Sequence, residues 1–242
     1  LPLWWLDRDR PDHAAIQATL RVPGAWLALL SEADAQGRGS ADRSDLRDRL
    51  AGFRDLCREA GCYDAPRAFA TPGTRRAYLA DGWLDPDTPP YDRSRFEVLV
   101  MAGLPGAGKD TWLARHAPTL PQVSLDAERA RLGIDPAGNQ GAVIQAAREA
   151  ARVHLRAGEP FAWNATNVTR EVRGAVLQLL CDYRARARVV YLEAPYADLQ
   201  RRNRERDTPV PRAVLERLID RLEPPGFDEA DEVEWLEHDA LP

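Results

Sequence analysis

Lysine is almost absent from this chain of 242 residues, which has 32 arginines but a single lysine, Lys109. Arginine supplies the positive charge at all the other basic positions. The single lysine therefore indicates a position whose function a guanidinium cannot fulfil. The lysine lies in a glycine-rich segment, Gly103-Leu104-Pro105-Gly106-Ala107-Gly108-Lys109-Asp110-Thr111. A compact ammonium on a flexible stem reaches between two phosphates, whereas a planar guanidinium is too wide. The segment therefore predicts a nucleotide-binding phosphate loop.

Cysteine, histidine and long apolar runs are also scarce. The three cysteines, Cys57, Cys62 and Cys181, have no metal-ligand pairing, so we expect buried thiols in a reduced, cytoplasmic protein. The four histidines have no metal-ligand spacing either. No apolar run reaches the roughly 18 residues that a membrane span needs, so we expect no membrane partner. Residues 1–6 contain neither a methionine nor a basic residue, and we expect the chain to be cut from a longer protein.

The net charge of −5 conceals an uneven distribution of charge. Residues 223–242 contain eight acidic residues and no arginine, whereas residues 91–222 contain 21 basic and 16 acidic residues. The densest basic cluster is at 201–206. An arginine-rich face can bind polyphosphate even on an acidic protein, so the net charge does not exclude a nucleic-acid partner.

The first third of the chain has the periodicity of helices. A helix start at Pro11 is followed by helical patterns at 24–35, 42–61 and 66–79. The turn-rich stretch at 82–90 then marks a domain boundary. We therefore predict two parts, which are a helical segment at 1–90 and a second domain at 91–242.

Short apolar strands alternate with helices in the second part. The predicted strands lie at 96–102, 122–125, 160–163, 188–192 and 233–236, and the predicted helices at 109–116, 141–156, 169–183, 196–206 and 211–222. This alternation is typical of an α/β fold with a short parallel sheet flanked by helices. The phosphate loop joins the first strand to the first helix, which is where its mechanism requires it.

The phosphate loop departs from the usual pattern at one position. Glycines at 103, 106 and 108 allow the backbone to wrap around phosphates, and the amides of 106–111, including that of Ala107, form an anion-binding nest. Serine or threonine normally follows the lysine, but here Asp110 does, and Thr111 comes next. Two possibilities stay open, namely that Asp110 meets Mg²⁺, directly or through water, or that Thr111 takes up the phosphate contacts.

A carboxylate and an arginine follow the second predicted strand. Asp126 lies at the carboxyl end of this strand, where ligands bind in open α/β sheets, and Arg129 is one helical turn further on. The pair suits a general base with a cation that holds the acceptor. The alternative is that Asp126 caps a helix and that Arg129 is a surface charge.

Polar and basic residues also follow the third and fourth strands. Asn164, Asn167 and Arg170 are candidates for substrate binding, with a turn and helix cap as the alternative. The arginine cluster after the fourth strand lies where P-loop kinases have a lid, whose arginines neutralise the transferring phosphoryl group, and the alternative is a solvated face. Its candidate nucleotide-binding residues are Arg201, Arg202, Arg204 and Arg206. A GTPase is disfavoured, because guanine recognition by Asn-Lys-x-Asp needs a second lysine.

These motifs together resemble the phage-type 5′-OH polynucleotide kinases, over residues 96–222. The resemblance implies a transferase that moves the γ-phosphoryl group of ATP or another NTP, with Mg²⁺, to a 5′-OH end of RNA or DNA in nucleic-acid repair. It implies that Lys109 holds the β- and γ-phosphates, that Asp126 is the general base and that Arg129 contacts the acceptor phosphate. The alternatives are a P-loop kinase of a small molecule, such as a nucleoside, sugar or antibiotic, and a non-catalytic NTP-binding module.

Residues 29–38 look like the end of an HD phosphohydrolase domain. Together with the kinase motifs, this suggests the bacterial fusions of an HD domain with a polynucleotide kinase. The earlier His and His-Asp motifs are missing, so the resemblance implies a truncated HD domain without phosphatase activity. Asp34 would then be an orphan ligand.

Overall fold

The chain forms two compact units, Leu1–Pro90 and Tyr91–Pro242. The computed structural model describes residues 6–37, 43–81, 85–89, 94–135, 138–206 and 209–237. Part of the turn-rich stretch at 82–90 lies outside these residues. Among the residues described, no helix combines the length and apolar character that crossing a membrane requires.

The first unit is helical. Its helices are α1 (Pro11–Ala18), α2 (Gly24–Gly37), α3 (Arg43–Glu59) and α4 (Pro72–Asp81). The apolar stripe of α3 forms the centre of the core, where Phe53 and Cys57 are fully buried beside Cys62. The expectation of buried thiols is wrong for Cys181 in the second unit, which is exposed.

Helix α4 begins later than the predicted start at residue 66. Pro72 lies in its first turn, where the missing amide hydrogen of proline is tolerated. The Thr71 hydroxyl accepts a hydrogen bond from the Thr74 amide at 3.0 Å, which caps the helix. The proline and the cap together define this start.

The second unit contains a five-stranded sheet in which all neighbouring strands are parallel. Its strands are β1 (Phe96–Ala102), β2 (Gln122–Ser124), β3 (Phe161–Asn164), β4 (Ala185–Leu192) and β5 (Glu232–Leu236). Their order is β2-β3-β1-β4-β5, with Val100 opposite Trp163 on one side and Val189 on the other. The predicted α/β fold with a parallel sheet is confirmed.

Helices cover both faces of this sheet. They are α5 (Lys109–His116), α6 (Leu125–Leu132), α7 (Gln140–Ala157), α8 (Arg170–Asp182), α9 (Tyr196–Arg204) and α10 (Arg212–Asp220). Alternate residues of β1 point into two separate cores, Val98 and Val100 into one and Leu99 and Met101 into the other. A parallel sheet buried on both faces leaves the carboxyl ends of its strands as the place for a site.

Strand β4 begins three residues before its predicted start, at Ala185. Ala185 and Ala187 are buried, whereas Arg186 and Arg188 point to the other face, where they pair with glutamates of β5. Alternating alanine and arginine does not form an apolar run, so the sequence pattern conceals this part of the strand.

A buried ion pair ties the acidic C-terminal segment to α8. The side chains of Arg173 and Glu229 are 1% and 4% exposed, and two N–H groups of the guanidinium donate to the carboxylate at 2.7 and 2.9 Å. A third donates to the Asn167 carbonyl at 3.0 Å. Such a pair is costly to break, because one charge then remains buried without its partner.

We expect Glu229→Gln to lower the free energy of unfolding by about 3 kcal/mol, because Arg173 keeps its charge but loses the opposing one. Urea unfolding followed by circular dichroism would measure this. The matched control is Asp228→Asn, which removes the partner of Arg170 in a pair whose arginine side chain is 60% exposed and should cost less than about 1 kcal/mol. Equal effects of the two variants would contradict the prediction.

Candidate active site

The loop between β1 and α5 wraps around the N-terminus of α5. A Cβ atom on Gly103, whose φ is +139°, would lie 2.6 Å from the Leu192 carbonyl oxygen, so only glycine fits there. Gly108, with a φ of +105°, precedes the first residue of α5 and supplies no capping side chain. The first amides of α5 have no partner within the helix, which is the arrangement that binds phosphate groups.

The Lys109 ammonium lies across this loop. Its Nζ donates to the carbonyl oxygens of Gly103 and Leu104 at 2.9 and 3.0 Å. Burial lowers the pKa of Lys109 from 10.5 to about 8, against the opposing influence of the Asp110 carboxylate. The ammonium is thus poorly solvated, and a phosphate placed beside it would restore the charge interactions that burial removes.

This lowered pKa predicts how nucleotide affinity depends on pH. Below pH 8 the lysine is charged before binding. Above pH 8 the free protein loses this proton and must regain it to bind a polyanion, so affinity should fall by up to about tenfold per pH unit. Titration of ATP at several pH values would measure the fall. In Lys109→Arg, whose guanidinium stays charged, the dependence should disappear, and its persistence would contradict the assignment to Lys109.

Asp110 points from the first turn of α5 towards the end of β3. Its Oδ1 accepts a hydrogen bond from Asn164 Nδ2 at 2.6 Å. The residue is exposed, and its other oxygen has no protein partner among the residues described. Carboxylate oxygens are suitable ligands for Mg²⁺. The structure thus places Asn164 against Asp110, whereas Thr111 is exposed on the same turn.

Asp126 lies inside the first turn of α6. Ser124 caps this helix by accepting a hydrogen bond from the Ala127 amide at 3.4 Å, so the alternative that Asp126 is the cap is wrong. One oxygen of Asp126 pairs with Arg129 and the other accepts from Arg206 Nη2 at 3.4 Å. Asp126 and Arg129 therefore lie together at the carboxyl end of β2, as their spacing predicts.

The arginines of the cluster have different surroundings. Arg202 Nη1 donates to the carbonyls of Gly106 and Ala107 at 3.2 and 3.4 Å, which ties α9 to the phosphate loop. Arg206 follows the end of α9 and reaches Asp126. Arg201 pairs with Asp198 at 2.7 Å on α9 itself.

Arg204, by contrast, is exposed on the last turn of α9. Of the four arginines, Arg202 and Arg206 are thus the ones that contact other parts of the site.

Two predicted substrate-binding residues are held by contacts with other parts of the fold. The Asn167 side chain is buried and donates to the Met101 carbonyl at 2.7 Å, and its φ of 46° bends the loop after β3. Arg170 pairs with Asp228 at 2.5 Å, and its amide donates to Glu223. These contacts favour a structural role for both residues.

Gln140 contacts Arg129 of the site, and no sequence pattern predicts this contact. Its Oε1 accepts hydrogen bonds from two nitrogens of Arg129, although the residues are 11 apart in sequence and on different helices. No spacing rule connects them. A glutamine at a helix start has no sequence signature of such a role.

The parallel sheet and the loop with Lys109 have the fold of P-loop kinases. Residues 98–225, more than half of the chain, match the family model AAA_33, an AAA domain. The chain belongs to this family.

Solved structures with a similar fold are distant in sequence. A chain from Chloroflexus aurantiacus, provisionally described as a kinase, is 18% identical, with a TM-score of 0.49, over 60% of this chain and 86% of the other. Kti12 of Chaetomium thermophilum, with ADP-AlF3, is 20% identical over 59% and 89%, with a TM-score of 0.44. The APS kinase CysC of Mycobacterium tuberculosis, with AMPPNP and APS, is 16% identical over 60% and 90%, with a TM-score of 0.43. No curated protein matches the chain significantly.

Proposed function

We propose that this chain transfers the γ-phosphoryl group of ATP or another NTP to the 5′-OH end of RNA or DNA, as a step in nucleic-acid end repair. The observation that carries this proposal is the contact of Asp126 with both Arg129 and Arg206. A candidate base, a candidate acceptor-binding cation and a lid arginine thereby meet at one point. Burial lowers the pKa of Lys109, and the charge of Asp126 partly opposes this lowering, so Asp126 also interacts with the phosphate-loop lysine.

The donor nucleotide would bind to the loop at the start of α5. The amides of 106–111 and the Lys109 ammonium would hold its β- and γ-phosphates. Asp110 would hold Mg²⁺ through the oxygen that Asn164 leaves available. The ion would supply positive charge that stabilises the transferring phosphoryl group.

The acceptor hydroxyl would bind beside Asp126. Its oxygen forms the new bond to the γ-phosphorus while the bond from this phosphorus to the bridging oxygen breaks, and the nucleoside diphosphate leaves. The hydroxyl proton passes to the Asp126 carboxylate, which is largely exposed and therefore accessible. Arg129 would bind a phosphate of the acceptor strand, and Arg206 would move to the γ-phosphoryl group.

Label transfer tests the reaction and the acceptor class together. The purified chain is incubated with Mg²⁺ and γ-labelled ATP, with a 5′-OH oligonucleotide in one sample and the same oligonucleotide carrying a 5′-phosphate in another. We expect label only on the 5′-OH strand. Free nucleosides added as competing acceptors should not be labelled in preference to it. Labelling of nucleosides or sugars in preference to oligonucleotides would establish a small-molecule kinase, and ATP binding without transfer would establish a non-catalytic module.

We also infer that the unit Leu1–Pro90 is the remnant of an HD domain. The resemblance at 29–38 falls mostly on α2, where Asp34 lies. The described residues hold no group of three or more His, Cys, Asp or Glu that would bind a metal ion. We expect no phosphatase activity on phosphorylated oligonucleotides with added Mn²⁺, and release of inorganic phosphate under these conditions would contradict this expectation.

A further inference from the structure

We propose that Gln140 is a positioning residue, which orients the Arg129 guanidinium towards a phosphate of the acceptor strand. This inference rests on the proposed function, because the acceptor is the nucleic acid named above. It assigns a role to a residue that neither the sequence motifs nor the spacing of the site indicate.

The contact between the two side chains is double. Gln140 Oε1 accepts from Arg129 Nε at 3.2 Å and from Arg129 Nη2 at 3.1 Å. One oxygen thus accepts hydrogen bonds from both nitrogens on one edge of the planar guanidinium. These two bonds determine the plane in which the group lies. Arg129 Nη1 meanwhile pairs with Asp126. The guanidinium is therefore held from two sides, by α7 and by its own helix.

The glutamine is itself held by the backbone. Its Nε2 donates to the carbonyls of Asp135 and Gly138 at 3.2 and 3.4 Å, in the segment that precedes α7. These bonds decide which way the amide faces, because only the NH₂ group can donate to carbonyls and only the oxygen can accept from a guanidinium. A carboxylate or an apolar side chain at this position satisfies at most half of this arrangement.

Helix capping does not explain the side chain of Gln140. The cap of α7 is Asn139, whose Oδ1 accepts a hydrogen bond from the Ala142 amide at 3.3 Å. Gln140, in the first turn, instead turns its amide towards Arg129 on a different helix. The side chain therefore serves the link between α6 and α7.

The bound guanidinium retains donors for a ligand. Arginine has five N–H groups, and the contacts with Gln140 and Asp126 use three of them. One N–H on each terminal nitrogen has no protein partner among the residues that the structure describes. Two donors on a rigid fork match two oxygens of a phosphate. Gln140 thus leaves these two N–H groups of Arg129 available to an anionic acceptor. Because Gln140 is neutral, it does not neutralise the charge of the guanidinium.

The test measures binding of a 5′-OH oligonucleotide by fluorescence anisotropy, and steady-state transfer, in Gln140→Met. The variant keeps the length of the side chain but loses both hydrogen-bonding groups. We expect the dissociation constant and KM for the oligonucleotide to rise by about tenfold, because the lost bonds involve a charged group. The affinity for ATP and kcat at saturating acceptor should stay within about twofold of the wild type.

Gln145→Met is the matched control. Gln145 lies on the same helix and donates to Glu149 at 3.2 Å, so its loss tests the general effect of replacing a glutamine of α7. This variant should bind and phosphorylate the oligonucleotide as the wild type does.

A double variant separates positioning of Arg129 from a direct contact. Arg129→Ala should weaken acceptor binding by itself, and adding Gln140→Met should weaken it no further. An undiminished effect of Gln140→Met in the Arg129→Ala background would overturn the proposal, as would unchanged oligonucleotide affinity in Gln140→Met. If the wild type transfers no label to oligonucleotides, the proposed function fails and this role of Gln140 fails with it.

Discussion

Lys109→Ala should reduce phosphoryl transfer by about 10³-fold, because it removes the cation that stabilises charge on the transferring group. No other lysine exists in the chain to replace it. Nucleotide affinity should fall as well, since the ammonium lies over the loop that would hold the phosphates. Single-turnover transfer of γ-label at saturating ATP would measure the chemical step apart from binding.

The same substitution should leave the fold intact. Burial lowers the pKa of Lys109 to about 8, which means that the folded protein holds this charge at a cost. Its removal leaves no buried opposite charge, because the nearby carboxylates of Asp110 and Asp126 are exposed. Urea unfolding should show a free energy close to that of the wild type. Full activity of Lys109→Ala would contradict the assignment of the loop.

Lys109→Arg is the sharper control for the chemistry of the position. It preserves the positive charge, but the guanidinium is planar and wider than the ammonium. We expect transfer to be lost nearly as completely as in Lys109→Ala, while ATP affinity becomes independent of pH between 7 and 10. Retained transfer in Lys109→Arg would show that charge alone, and not its shape, is required.

Asp126→Asn should reduce kcat by about 10²–10⁴-fold while ATP binding is preserved. The amide has the shape of the carboxylate and still accepts a hydrogen bond from Arg129, but it does not accept the proton of the hydroxyl. The rate loss should therefore appear in kcat and not in the affinity for the nucleotide. Rates from label transfer and dissociation constants from ATP titration measure the two quantities separately.

Glu128→Gln is the matched control for Asp126→Asn. Glu128 is two residues further along α6 and pairs with Arg131 at 2.7 Å. Its neutralisation changes the charge of the helix equally but should leave transfer unchanged. Equal losses in both variants would indicate a general electrostatic effect, and an active Asp126→Asn would contradict the role of base.

The elements with a strong local pattern were the ones that could be predicted. Strand β1 and helix α5 have the predicted bounds, because a continuous apolar run and a glycine-rich turn are local signals. Strand β4 extends further than predicted, since its first residues alternate between alanine and arginine. The start of α4 depends on the cap by Thr71, and a general helical period does not reveal a cap.

The candidate site shows the same division. Lys109, Asp126 and Arg129 could be named from a motif and a spacing of one helical turn. The buried position of Asn167 could not be predicted, because its side chain donates to the carbonyl of Met101 on β1, which is 66 residues away in sequence. Asn164 was predicted as a candidate for binding the substrate, but its side-chain amide donates a hydrogen bond to Asp110, which is 54 residues away in sequence.

The sequence by itself determined the alternation of strands and helices in the second unit apart from α6, the phosphate loop with its single lysine, and the pairing of Asp126 with Arg129, because these depend on neighbouring residues and on the repeat of one element. Only the tertiary structure decided which distant side chains meet, such as Arg206 with Asp126 across 80 positions and Gln140 with Arg129 across 11. The parallel sheet brings the carboxyl ends of its strands to one edge, and the packing of helices on that edge selects the contacts. Such contacts leave no period in the sequence, because each depends on the relative position of two separately formed elements.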